Sequence, residues 1–204
     1  MLITDIRARR KAMSALYIDG EFAMELDTAT LEENGITPGM SITDEELKEL
    51  IDKSGLKRAK SKALYLLSYR DHSRKELKDK IKRNCDEKSA ELAVERMEEL
   101  GLIDDESFAE KYASELLFVK KYSVRRTEYE LMQKGIDRTL CDEIIERLEP
   151  DERQLIALLI DKKYFKKLGD EKGRRQTVAA LQRLGYRYED IRAVIGDFDE
   201  NNIY

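Results

Sequence analysis

Ser73-Arg74-Lys75-Glu76-Leu77-Lys78-Asp79-Lys80-Ile81 and, fifty residues on, Ser123-Val124-Arg125-Arg126-Thr127-Glu128-Tyr129-Glu130-Leu131 carry the reading that decides the fold. The first opens as a capping box, with Ser73 at the N-cap and Glu76 three residues later, ahead of Leu77 and Ile81 spaced for one helical face. The same offset aligns Ala63 with Ala113, Leu66 with Leu116, Leu67 with Leu117, and Ser73 with Ser123 and then Gly173. Downstream, Ile81, Leu131 and Leu181 coincide, Gly135 falls on Gly185, and Val94, Ile144 and Val194 coincide. Chance periodicity would not also reproduce the Gly and Ser boundary residues, so three units of about 50 residues stand in tandem.

Each unit holds three short helices. In the first, Ala59, Ala63, Leu66 and Leu67 form one face, the Ser73 helix follows, and Ala90, Ala93, Val94, Met97 and Leu100 form another before Gly101. The second opens at the Asp104-Asp105 cap and uses Phe108, Tyr112 and Leu116, then Val124 and Leu131, then Leu140, Ile144 and Leu148, with Pro150 after it. The third runs from Asp151 to about Phe165, crosses a basic connection, and continues through Val178 and Leu181 to Ile191, Val194 and Ile195. Units this small bury their own faces poorly, so neighbours are expected to stack into an elongated, curved array.

The first 56 residues read differently. Asp19-Gly20 between Ser14 to Ile18 and Glu21 to Leu26 signals a type I′ hairpin, with Tyr17 opposite Phe22, Ala15 opposite Met24, and Leu2 to Arg7 as a third strand. A short helix over Thr30 to Asn34, a turn at Pro38-Gly39 and a capping box Thr43-Asp44-Glu45-Glu46 follow, with Gly55 closing the piece. The expected fold is mainly α, three tandem three-helix repeats at 57–103, 104–149 and 150–204 behind a β-hairpin and short-helix extension at 1–56.

Composition narrows the function. The chain has 204 residues, with 38 Lys+Arg against 43 Asp+Glu, one His, two Cys and no Trp. The longest apolar run, Leu155 to Ile160, is far short of a membrane span, and no apolar stretch follows the basic N-terminal residues, so a soluble, unexported protein is expected. Cys85 and Cys141 lie far apart, which argues against a disulfide framework or zinc site and for a reducing cytoplasm. With His72 alone, in an exposed-looking run, no catalytic triad can be assembled, and no phosphate loop, dinucleotide fingerprint or His-Glu-x-x-His occurs. The reading is a non-enzyme with no cofactor and no metal. Asp104, Asp105 and Glu106 could in principle hold a hard cation, but capping a helix is their better-motivated role.

Charge is segregated along the chain. Residues 53–83 carry 12 basic and 3 acidic side chains, 116–126 carry 4 and none, and 162–175 carry 7 and 2, whereas 1–52 carry 5 and 12 and 84–115 carry 3 and 11. All three basic segments lie around the end of the first helix and the start of the second in their units. A single basic run is usually a solvated face, but recurrence at one structural address predicts a stripe for a polyanion or an acidic protein groove. The candidate residues are Arg70, Arg74, Lys75, Lys78 and Lys82; Lys120, Lys121, Arg125 and Arg126; and Lys162, Lys163, Arg174 and Arg175. Tyr69, Tyr122 and Tyr164 lie nearby and could stack on bases, although the rim of a helical core is the commoner place for Tyr.

Arg70-Asp71-His72-Ser73-Arg74-Lys75-Glu76-Leu77, Gly101-Leu102-Ile103-Asp104-Asp105-Glu106-Ser107-Phe108-Ala109-Glu110-Lys111-Tyr112 and Leu131-Met132-Gln133-Lys134-Gly135-Ile136 resemble the signature segments of the RecX family. The hairpin Tyr17-Ile18-Asp19-Gly20-Glu21-Phe22-Ala23 resembles the N-terminal extension of many members, so the similarity covers nearly the whole chain. The resemblance implies tandem helix-turn-helix-like repeats and a non-catalytic regulator that lies in the groove of the RecA filament on single-stranded DNA. Such a regulator damps RecA ATPase, strand exchange and coprotease action in recombination, DNA repair and the SOS response. The implied partners are RecA and single- or double-stranded DNA, with no membrane, for a cytoplasmic monomer. A RecA-independent DNA-binding helical-repeat protein and a cytoplasmic scaffold are the competing readings. Gly173, standing where the other units have Ser, is the main departure.

Overall fold

The computed structural model describes residues 1–201, with side chains through Asp197. The chain forms two compact units, Met1–Asp104 and a second beginning at Asp105. The first unit starts with an antiparallel sheet of β1 (Ile3–Ala8), β2 (Met13–Ile18) and β3 (Glu21–Asp27) in that order. Asp19 and Gly20 take φ of 50° and 89°, the pair of left-handed residues a type I′ turn requires. Tyr17 pairs with Phe22 as expected, but a bulge between Leu16 and Tyr17 sets Leu16 opposite Met24 and Ala15 opposite Glu25. The expected Ala15 to Met24 pairing is therefore displaced by one residue. The physical gain is a core-facing Leu16 backed by Met24, in a cluster with Ile3, Leu26, Leu31, Ile42 and Leu50. Tyr17 and Phe22 meet edge-on at 5.9 Å, and Phe22 is exposed.

After α1 (Thr28–Glu33), capped by the Asp27 carboxylate on the Thr30 amide, the chain enters α2 (Asp44–Leu67) through a complete Thr43/Glu46 capping box. Contrary to the expected stop at Gly55, this helix runs unbroken through it. A Cβ at Gly55 would lie 2.8 Å from Ser89 Oγ and 3.2 Å from Asp86 Oδ2 at the start of α4 (Glu87–Glu99), so the glycine provides close approach between helices. The N-terminal half of α2 thus serves the sheet through Leu47 and Leu50. Its C-terminal half serves a second cluster, where Ala59 and Ala63 pack with Leu77 and Ile81 of α3 (Arg74–Ile81) and Ala90, Ala93, Val94 and Met97 of α4.

The second unit contains two further three-helix sets, each with its own core. Phe108, Ala109 and Ala113 of α5 (Asp105–Ser114) pack with Leu131 of α6 (Val124–Gln133) and with Cys141 and Ile144 of α7 (Arg138–Leu148). Leu155, Ile156 and Leu159 of α8 (Glu152–Leu159) pack with Leu181 of α9 (Glu171–Arg183) and Ile191, Val194 and Ile195 of α10 (Tyr188–Asn201). The first helices of both sets end in a π-helical turn, Glu115–Val119 and Ile160–Tyr164. The fifty-residue equivalence holds in three dimensions at Ile81, Leu131 and Leu181, all fully buried. It fails at the start of α9. Ser73 and Ser123 are N-caps, but Gly173 is not; Asp170 caps α9 by accepting from the Gly173 amide, so this helix begins a turn earlier. Cys141 is buried, which pushes its thiol up to about 11, and Cys85 is half-buried with its thiol also raised by burial. Among the described residues no helix is long and apolar enough to cross a membrane.

His72 corrects a second expectation, being 3% exposed rather than on the surface. Its Nδ1 lies 2.9 Å from the Arg70 carbonyl, which can only accept, so Nδ1 carries the proton and the buried Nε2 has no partner. Loss of hydration accordingly lowers the pKa of His72.

Two outcomes follow. A Cβ at Gly173 would stand 1.9 Å from the Lys167 carbonyl oxygen, whereas one at Gly169 meets nothing within 4 Å. Gly173→Ala should lower the unfolding free energy by roughly 1–3 kcal/mol, and Gly169→Ala should change it by less than about 0.5 kcal/mol, both measured by urea titration. For His72, the unfolded chain binds the proton at higher pH than the folded one, so stability is lost as pH falls below about 6.5 and is regained as it rises. The unfolding free energy should therefore be lower at about pH 5.5 than at about pH 7.5. Since this is the only histidine, His72→Leu should flatten that slope.

Candidate nucleic-acid interface

The structure treats the three basic segments differently. In the first unit the α3 cations face the acidic side of α4: Arg74 reaches Glu91 at 2.6 Å and Glu98 at 3.6 Å, Lys78 pairs with Glu91 and lies 3.7 Å from Glu87, and Lys82 reaches Glu87 at 2.9 Å. Lys78 is held above its ordinary pKa by the Glu91 carboxylate, and Glu91 is held below its own by Lys78. Arg70, just before α3, makes two bonds to Glu76 at 2.9 and 3.0 Å, and Lys75 is exposed on the first turn. The acidic run that follows this basic segment in the sequence folds back onto it, so much of its charge is compensated.

In the second unit Lys120 pairs with Glu115 at 3.0 Å, and Arg175 pairs with Glu171. Arg174 donates from Nε to the Leu168 carbonyl at 2.7 Å, and Lys162 and Lys163 lie exposed on the π-helical turn after α8. Arg125 and Arg126 stand elsewhere, on the first turn of α6. They line a cleft of about 900 Å³ together with Tyr129 and, from the end of α9 and the start of α10, Gln182, Arg183, Gly185, Tyr186, Arg187, Tyr188 and Glu189. Lys162, Lys163, Arg174 and Arg175 are not among its lining residues.

Four guanidinium groups against one carboxylate give the cleft a positive field. Arg126 is ion-paired with Glu130 at 2.6 Å and lies 5.5 Å from the Tyr129 ring centre and 5.8 Å from that of Tyr122. Among the described residues no carboxylate lies within 4 Å of the exposed Arg125, Arg183 and Arg187, and Tyr129 and Tyr188 are 49% and 53% exposed. Free guanidinium forks beside exposed aromatic rings suit phosphate oxygens beside base faces. Sequence reasoning singled out Arg125 and Arg126 but missed Arg183, Arg187, Tyr129 and Tyr188. The signal available for the two arginines was their place beside Gly185, at the junction of the second and third helices of the third unit; neither sits in a basic run.

The cleft is held by backbone. Lys121 takes φ of 57°, and its carbonyl accepts from the Tyr186 hydroxyl at 3.0 Å. Ser123 caps α6 with its hydroxyl on the Arg126 amide, while its own N–H donates to the Leu184 carbonyl at 3.0 Å. The Val124 N–H donates to Glu152 at 2.8 Å. Burial raises the pKa of Tyr186, so its hydroxyl stays a donor at neutral pH.

Tandem three-helix sets define a helical-repeat protein. The descriptions "RecX, first three-helix domain" and "RecX, second three-helix domain" match residues 59–97 and 104–145. The regulatory protein RecX of Caldanaerobacter subterraneus subsp. tengcongensis is 33% identical over 167 residues, covering 80% of this chain and 84% of that one. The regulatory protein RecX of Clostridioides difficile is 28% identical over 194 residues, 92% of each. A crystal structure of regulatory protein RecX superposes with a TM-score of 0.62 at 20% identity, over 95% of this chain and 98% of that one, and has the same fold. One from Lactobacillus salivarius gives 0.59 at 23%, over 71% and 97%. The chain belongs to the RecX family of regulatory proteins.

A Cβ at Gly185, where φ is 101°, would lie 2.3 Å from Ser123 Oγ and 2.7 Å from Arg126 Cβ. Gly185→Ala should therefore open the cleft and destabilise the second unit by roughly 1–3 kcal/mol. Hydrogen exchange at the Ser123 amide, whose acceptor is the Leu184 carbonyl, should speed up in the variant.

Proposed function

We propose that this chain is a non-catalytic, cytoplasmic and monomeric regulator that binds the RecA filament on single-stranded DNA and restrains RecA ATPase, strand exchange and coprotease action. Its place would be in recombination, DNA repair and the SOS response. Membership of the RecX regulatory family supports the role, and the observation that carries the contact is the cleft with Arg125, Arg183 and Arg187, without a carboxylate partner among the described residues, beside Tyr129 and Tyr188. The proposed division into an extension and three repeats presents several separated patches, so weak contacts act together by effective concentration and only an assembled filament offers them all. The remaining basic candidates stay in the proposal as secondary contacts, because exposed ion pairs contribute little and can be exchanged for phosphate.

The alternative is a DNA-binding protein that needs no RecA, since arginines and aromatic rings in one cleft suit a single strand by themselves. Whether tight DNA association requires RecA separates the two. Added in amounts below RecA, the parent chain should lower RecA ATPase on single-stranded DNA. Arg183→Glu combined with Arg187→Glu should raise the half-inhibiting concentration at least about tenfold, equivalent to roughly 1.4 kcal/mol, with helicity by circular dichroism unchanged. Inhibition at the parent's concentration would remove the cleft from the contact surface.

A further inference from the structure

The first unit has a second concentration of positive charge, outside residues 59–97 and 104–145 that match the RecX three-helix domains and outside the candidate basic stripe. Four of the five basic residues before position 53 are Arg7, Arg9, Arg10 and Lys11, at the end of β1 and in the β1–β2 turn. Arg9, Arg10 and Lys11, with Met13, Glu25 and Arg58 of α2, line a cleft of about 570 Å³. All four cations are exposed. Arg9 is 4.0 Å from Glu25, a long pair with both side chains half in solvent, and among the described residues no carboxylate lies within 4 Å of Arg10, Lys11 or Arg58. The α3 cations of the same unit are largely compensated by α4, so uncompensated charge gathers at the hairpin tip.

The turn itself is unusual. Lys11 and Ala12 take φ of 60° and 55°, a left-handed pair that glycine or asparagine normally occupies. The conformation is fixed from outside: the Arg9 amide donates to the Met13 carbonyl at 2.7 Å, and the Ala12 carbonyl accepts from the Thr28 amide at 2.8 Å. A lysine held in strained backbone beside two arginines is the kind of outlier that marks a binding position. The lining has Met13 as its one apolar side chain, so a protein partner would find no pocket for the aromatic or aliphatic anchor that dominates such interfaces. Three guanidinium forks and an ammonium match phosphate oxygens instead.

We propose that the β1–β2 tip, Arg9, Arg10 and Lys11 with Arg58, is a binding site for the phosphate backbone of nucleic acid. The proposal takes its biological setting from the filament reading above; DNA binding is measured without RecA, and RecA ATPase is read in a separate assay. Binding of the full chain to a labelled single-stranded oligonucleotide and to its duplex is followed by fluorescence anisotropy over a series of salt concentrations.

Combining Arg10→Ala, Lys11→Gly and Arg58→Ala should weaken binding at least about tenfold at low salt and reduce the slope of log affinity against log salt by about 2. Lys11→Gly removes charge while relieving the turn. Ala12→Gly, which relieves the turn and keeps the charge, should raise the melting temperature and leave affinity and slope unchanged. Arg10→Gln with Arg58→Gln, which keeps side-chain bulk, should move slope and affinity in the same direction by a smaller amount. Parent affinity and slope in the folded triple variant would overturn the proposal. So would unchanged DNA binding with lost RecA regulation, which would put an acidic protein surface at the tip. Weakened DNA binding, in a chain whose parent form leaves RecA ATPase untouched, would support the hairpin site and remove the filament reading.

Discussion

Four helices of this chain end in the same way, and the layout follows from it. At the ends of α1, α4, α6 and α9 a glycine in the left-handed region turns the backbone: Gly35, Gly101, Gly135 and Gly185. In each case its N–H bonds three residues back and the next N–H bonds five residues back, as with Gly135 to Met132 and Ile136 to Leu131. Orphan carbonyls are satisfied within the turn, so the next element can leave at a fixed angle without stranding polar groups. Where the following residue is apolar and turns inward, as Ile136 and Tyr186 do, the terminator also pins the next helix to the core. The cleft depends on this device, because Gly185 permits contact with Ser123 and Tyr186 then reaches the Lys121 carbonyl.

Charge in this chain cannot be read as a linear quantity. The basic α3 segment and the acidic α4 segment are adjacent blocks in sequence, and folding antiparallel turns their contrast into pairing. Arg74, Lys78 and Lys82 meet Glu87, Glu91 and Glu98 across the helix interface. Arg183 and Arg187 lie in a stretch with no basic bias, yet they converge on Arg125 because a glycine turn docks against a helix start. Excess positive charge therefore depends on what the fold leaves without a partner.

What was legible in the sequence was local or periodic. The Asp19-Gly20 turn, the Thr43 and Ser73 caps and the common places of Ile81, Leu131 and Leu181 depend on residues a few positions apart or on a repeat, and all are present. What was missed depends on contacts distant in sequence. Gly55 looks like a stop because glycine weakens a helix by about 1 kcal/mol, but Ser89, 34 residues on, makes its missing side chain an advantage. His72 sits among polar residues and looks exposed, yet its ring is covered. Of the candidate site, two of the four guanidinium groups were visible as the Arg125-Arg126 pair; Tyr129 stood alone further along the same helix, and Arg183, Arg187 and Tyr188 were single residues in another repeat.

The match to the first three-helix domain begins at residue 59, inside α2, which spans Asp44–Leu67 and starts at the Thr43 cap. The boundary drawn by ancestry and the boundary drawn by hydrogen bonds are therefore different objects. A fragment cut at the ancestral border would begin midway along a helix, without its cap and with amides exposed that α2 satisfies internally. The extension acts as the headstock of the first domain's leading helix, so a lineage that alters it also alters how that helix is seeded and held.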